Sequence, residues 1–219
     1  MMDDTAIDME GLDAGIDVLD MDAAPAALGF ALSKNRYHRQ SHHAHRATAA
    51  ASRRGIKRMI RPENADELLQ YLPDPGECTH VVVRGDFVLG DILPLILRGA
   101  TTPAEIDITS LGMSTGNAQM LAALIASGQV SRLMVLVSHY FSRVDRTGTF
   151  REVMHILGDR IKVARNHAKV ILIAAPPSFL VIEGSANLRS SDNIEQFAIW
   201  NDEALLNWHR EWMQEVIDG

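Results

Sequence analysis

Five residues in the C-terminal third of the chain bring together the groups that phosphate chemistry needs: His167, Lys169, Ser185, Asn187 and Glu195. They fall in three short strings, His167-Ala168-Lys169, Gly184-Ser185-Ala186-Asn187 and Asn193-Ile194-Glu195. A phosphodiester is anionic and must be held. Lys169 offers charge, and Ser185 and Asn187 offer donors to its non-bridging oxygens. A neutral imidazole attacks phosphorus to give a covalent phospho-histidine, which makes His167 the candidate nucleophile. A carboxylate beside an imidazole fixes its tautomer and raises its basicity, and Glu195 is the candidate. The departing oxygen needs a proton, so a second histidine titrating near the working pH is wanted. The chain has a single His-x-Lys string.

These strings need elements that make them converge. Residues i and i+2 of a strand share a face, so His167 and Lys169 project together if they open an apolar strand over 167–174. A second strand-like run, 178–184, follows Pro176-Pro177. The two read as a hairpin whose outer ends place His167 and Asn187 side by side. Upstream, Val81-Val82-Val83 reads as a buried strand, 87–98 as a helix interrupted by Pro94, and 105–109 as a strand. Residues 114–127 read as a helix capped by Ser114 or Thr115 and stopped by Gly128. A strand over 132–137 and a helix over 149–157 ended by Gly158 come next. Strands at 160–164, 169–174, 178–183 and 196–200 and a final helix over 202–217 complete the order. The fold class is α/β, a mixed sheet flanked by helices on both faces. Arg84, Ser114 and His139 fall at the expected C-terminal ends of strands, where open α/β sheets place sites. Met113, Met120, Met134 and Met154 suit the core, and Trp200, Trp208 and Trp212 suit packing of the final helix or a dimer contact.

The combination His167-x-Lys169, Gly184-Ser185-x-Asn187 and Asn193-x-Glu195 resembles the HKD motif of the phospholipase D superfamily. The layout from about Thr79 to Val216 resembles that phospholipase D-like fold, and the small bacterial nucleases with a single motif are the nearest likeness within it. The resemblance implies His167 as nucleophile, Lys169, Ser185 and Asn187 as phosphate ligands, and Glu195 as the carboxylate partner of a histidine. It implies a two-step reaction without a metal or other cofactor. It also implies a homodimer whose two-fold axis supplies the second histidine as the symmetry copy of His167. The family often has Asp five positions after the Lys, where this chain has Ala174.

Charge is segregated along the 219 residues, so the net charge of −7 conceals the place to look for a polyanion. Residues 1–22 hold eight acids and no base, whereas 34–61 hold nine bases and no acid. We read 1–33 as an acidic disordered tail, 34–76 as a basic segment and linker, and 77–219 as the folded domain. The basic segment is Ala-rich and suited to form helix when bound. Its Lys34, Arg36, Arg39, Arg46, Arg53, Arg54, Lys57 and Arg58 are expected to contact the backbone of DNA or RNA. The acidic tail is expected to compete for it. His38, His42, His43 and His45 lie in this basic stretch without an acid or Cys nearby, so no metal site is expected. The single cysteine, Cys78, excludes a disulfide within one chain and a cysteine-based zinc cluster. No run approaches the roughly 18 apolar residues of a transmembrane helix, and the acidic start is unlike a secretory signal. Neither membrane association nor secretion is expected, and residence is expected to be cytoplasmic.

The function expected is a metal-independent phosphodiesterase, an endonuclease acting on DNA or RNA. Two alternatives stay open. One is a degenerate HKD scaffold that binds nucleic acid or assembles without turnover. The other is a phosphodiesterase that processes phospholipids. Each string also has a plainer reading, as a solvent-facing strand start, a Gly184 turn and an exposed acid.

Overall fold

A computed structural model describes residues 57–84, 87–189 and 193–219. Eight strands form one mixed sheet: β1 Lys57–Ile60, β2 Cys78–Val83, β3 Ala104–Ser110, β4 Val130–Ser138, β5 Ile161–Ala164, β6 Val170–Ala175, β7 Ser178–Gly184 and β8 Glu195–Asn201. Six helices accompany them: α1 Ala65–Leu69, α2 Ile92–Arg98, α3 Thr115–Ala126, α4 His139–Val144, α5 Thr149–Leu157 and α6 Glu203–Asp218. The strand order is β1-β2-β8-β7-β6-β3-β4-β5. β3, β4 and β5 run parallel, while β6, β7 and β8 form an antiparallel meander joining them to β2.

The sheet has helices on both faces, as its sequence pattern requires. β6 is apolar at every position and buried throughout, the pattern of a strand covered on both sides. Its Ile171, Ile173 and Ala175 enter a large core with Leu68 of α1, Ile92 of α2, Leu121 of α3 and Val153 of α5. Its alternate residues Val170, Leu172 and Ala174 enter a smaller core with Leu206 and Met213 of α6. α6 is also tied down by charge. Asp107, fully buried on β3, is bonded to Arg132 Nη2 at 2.6 Å and to Arg210 Nε of α6 at 2.9 Å.

Several expectations hold. The Pro176-Pro177 hairpin forms, with Ala175 opposite Ser178. Ser114 caps α3 by accepting from Asn117 N at 3.2 Å, and Gly128 follows with φ of 76°. Others need correction. Residues 57–60, part of the segment read as suited to helix when bound, form β1 in the free chain, parallel to β2. Long-range pairing overrides local propensity there: Ile60 packs on the large core, and Arg58 reaches Glu77 at 3.0 Å and Leu72 O at 3.3 Å. A short helix from Asn64-Ala65-Asp66-Glu67 through Tyr71 is suggested by the sequence and forms as α1; with β1 it joins the sheet and its core within the span 34–76 read as basic segment and linker. Residues 87–98 divide into a 3-10 turn, Leu89–Asp91, and α2. α4 was not anticipated.

Candidate active site

His167 and Lys169 do not open a strand, as the sequence suggested. They lie in the irregular segment 165–169 between β5 and β6. They still face one another: Lys169 Nζ is 3.3 Å from His167 Nδ1 and donates to His167 O at 2.9 Å. The hairpin register carries the second string to the same end of the sheet, since Gly184 N donates to Lys169 O at 3.3 Å. The His167 imidazole is exposed and Lys169 is half-buried.

Ser185 follows β7 directly and stays locked to β8. Its N–H donates to Gln196 O at 2.8 Å, and its Oγ accepts from Gln196 N at 3.1 Å. The hydroxyl proton goes to Glu195 Oε2. This contact requires glycine at 184. A Cβ there would lie 2.2 Å from Gln196 O and 2.5 Å from Phe197 Cα. Burial pushes the Lys169 ammonium below the ordinary lysine range, and the nearby Glu195 charge opposes that shift. His167, Lys169, Ser185 and Glu195 therefore form one cluster. Within a single chain, Glu195 accepts from Ser185, and its charge acts on Lys169.

Asn187 is held from a different side. Its Oδ1 accepts from Leu111 N at 3.1 Å and lies 3.3 Å from the Ser110 hydroxyl. With its carbonyl committed to backbone, its amide N–H groups are the part left for an anion. The other expected residues divide into those outside the described part of the chain and those with other roles in the fold. Lys34, Arg36, Arg39, Arg46, Arg53 and Arg54 lie outside the described residues, as do the histidines 38–45 and the acidic tail. Lys57 lies on β1, and Arg58 is engaged by Glu77 within the fold. Ser114 is spent as a cap, and His139 begins α4.

The structure adds residues that sequence reasoning did not select. Arg189 lines a small hollow with Asn187 and Glu195. Asn166 and Thr109 hold the Ala168 peptide, and Ser110 and Leu111, at the end of β3, hold the Asn187 side chain. Beside Lys169 a groove of about 580 Å³ opens, lined by Glu183, Gln196, His80 and all three tryptophans of the chain, Trp200, Trp208 and Trp212. In its wall, buried His209 accepts from Trp212 Nε1 at 3.0 Å through Nδ1. Its ring proton therefore sits on Nε2, 3.4 Å from Glu183 Oε2. That contact holds the Glu183 carboxyl below the usual carboxylate range.

Among the described residues no group of three or more His, Cys, Asp or Glu is placed to hold a metal ion, and no helix is long and apolar enough to cross a membrane. No protein-family model and no curated protein sequence matches the chain. Among solved structures, it is similar to Nuc, a phospholipase D family member from Salmonella typhimurium, with 17% identity and a TM-score of 0.44 over 57% of this chain and 86% of that one. It is similar to NucT from Helicobacter pylori, with 17% identity and a TM-score of 0.41 over 65% of this chain and 97% of that one. It is also similar to TrmBL2, an archaeal chromatin protein that binds DNA, with 15% identity and a TM-score of 0.35 over 70% of this chain and 58% of that one.

Proposed function

We propose that this protein is a phosphodiesterase of the phospholipase D type, acting on nucleic acid through a phospho-histidine on His167 in a homodimeric site. The observation that carries the reading is the convergence of His167, Lys169, Ser185 and Glu195 at one end of the β6–β7 hairpin. Lys169, Ser185 and Asn187 hold the phosphate. His167 attacks phosphorus, forming a P–N bond as the P–O bond to the leaving strand breaks. The second copy of His167 protonates the leaving oxygen and then takes a proton from the water that releases the phosphate.

Tautomer chemistry supports the second copy. In the single chain Nδ1 of His167 faces the Lys169 ammonium. Accepting there keeps the ring proton on Nε2 and blocks attack from that nitrogen. A carboxylate at Nδ1 reverses this, and Glu195 of a second chain is such a group.

The tryptophan groove supports a place for it. α6 packs chiefly over β6 and β7, and among the described residues a groove remains on the same face beside β8 and β2. Met59, His80, Ala198 and Glu183 stand in one row across that face. Met59 is 84% and Trp208 48% exposed. An apolar face of this kind suits a partner protein. Among the described residues lining the groove, Lys169 is the only Lys or Arg.

Turnover is tested with DNA and RNA substrates in EDTA, comparing wild type and His167→Asn. Cleavage that survives the chelator and falls at least about a thousandfold in the variant supports the mechanism. Cleavage abolished by EDTA rejects it. The absence of cleavage on every substrate favours a nucleic-acid-binding protein on the same scaffold. Release of headgroups from phospholipid vesicles instead would assign the site to lipid.

A further inference from the structure

The segment bearing His167 and Lys169 is a crossing over strand ends. β5 is the sheet edge, and β6 lies beyond β4 and β3. Residues 165–169 must therefore pass across the C-terminal ends of β4 and β3, a lateral distance of about 14 Å at the usual strand spacing. Such a crossing has no ladder partner for its backbone, and polar groups there need other partners.

One side chain supplies most of them. Asn166 Oδ1 accepts from Ala168 N at 2.9 Å. Its Nδ2 donates to Thr109 Oγ1 and faces Ser110 O at 3.4 Å, Ala168 O at 3.4 Å and Leu136 O at 3.5 Å. The buried Thr109 hydroxyl, accepting from Asn166, sends its own proton to Ala168 O at 3.2 Å. Ala168 is thus gripped at both N and O, and the grip reaches the ends of both β3 and β4. His167 and Lys169 flank Ala168, so the directions of imidazole and ammonium follow from how this one peptide is held. The next residues of the same strand end, Ser110 and Leu111, hold Asn187 Oδ1.

We propose that Asn166, acting with Thr109 through Ala168, is a positioning residue for the nucleophile, and that the Thr109–Leu111 strand end keeps the His-Lys and Ser-Asn halves in register. This rests on the phosphodiesterase reading of the cluster. Neither residue needs to touch the phosphate. A clamp of this kind works on geometry, where a displacement of about 1 Å costs on the order of a hundredfold in rate.

The test compares wild type, Asn166→Asp, Thr109→Val and Thr109→Ser in full-length protein. Asn166→Asp keeps the acceptor for Ala168 N but turns an oxygen toward three carbonyls. Thr109→Val keeps shape and removes the hydroxyl, whereas Thr109→Ser keeps the hydroxyl. Hydrolysis of bis-p-nitrophenyl phosphate is followed in EDTA, with Ala168 amide exchange measured by NMR. In the first two variants kcat should fall about ten- to a hundredfold with KM within about twofold of wild type. Ala168 exchange should accelerate while β6 amides stay protected. Thr109→Ser should recover most of kcat. The inference is overturned if both variants keep kcat within about twofold, or if Thr109→Ser loses as much as Thr109→Val. If wild type itself turns over neither this ester nor any DNA or RNA substrate, the phosphodiesterase reading fails. Ala168 exchange then decides the clamp alone, and unchanged exchange in Asn166→Asp rejects it.

Discussion

Lys169 Nζ lies 3.3 Å from His167 Nδ1 and donates to His167 O at 2.9 Å, so ammonium and imidazole stand side by side at one end of the sheet. Burial already lowers the Lys169 pKa, and the Glu195 charge acts against that.

Glu195→Gln removes the influence that raises the Lys169 pKa, so the lysine should lose its proton at lower pH. The alkaline limb of kcat/KM should move to lower pH in this variant. A 13C titration of the Lys169 ε-carbon checks the assignment, and a limb that stays in place or moves up rejects it.

Trp208→Glu places a charge on the exposed indole position beside the groove. If a second copy seats there, light scattering should report a dimer for wild type and a monomer for the variant, and phosphodiesterase activity should fall with it. A dimeric variant would move the interface elsewhere, while a monomeric wild type would remove the dimer from the mechanism.

Gly184→Ala forces the β8 backbone away from β7, because the added Cβ meets Gln196 O and Phe197 Cα rather than a movable side-chain end. Overpacking of this kind costs about 1–3 kcal/mol. Urea unfolding should show that loss, with weakened protection of the Ser185 and Gln196 amides. Unchanged stability would mean that β8 gives way freely.

Glu183 titrates lower in the folded chain than in the unfolded one, chiefly through His209. Its contribution to stability is therefore fully present above the ordinary carboxylate value of about 4.3. It disappears as the pH falls through the folded-state value. Glu183→Gln should lower Tm at neutral pH and flatten its fall toward acid. Parallel Tm curves for the two proteins would contradict this.

Much of the frame is legible in local sequence. Ser114 and Gly128 mark α3 because a cap and a left-handed stop are local backbone needs. The apolar run 170–175 announces a strand buried on both sides. β1 was not legible, because Lys57-Arg58-Met59-Ile60 becomes a strand only by pairing with β2. α4 was missed because it is short and buries no residue, although Ser138 caps it at 3.2 Å to Tyr140 N. Ala174 is clearer in three dimensions. It lies at the turn end of β6, packed toward α6. That is about 17 Å along the strand from Lys169, so the missing Asp takes no group away from the cluster itself.

Residue chemistry by itself determined which groups are available here: one imidazole, one ammonium, a hydroxyl, an amide and a carboxylate at spacings suited to a phosphate. Only the tertiary structure decided how they are held. Glu195 turns to Ser185, Asn187 is pinned by Leu111, and Asn166 grips the peptide between His167 and Lys169. The reason is physical. Donor and acceptor types are properties of single residues, whereas these hydrogen bonds join positions up to 76 residues apart, and only the strand order brings them within reach.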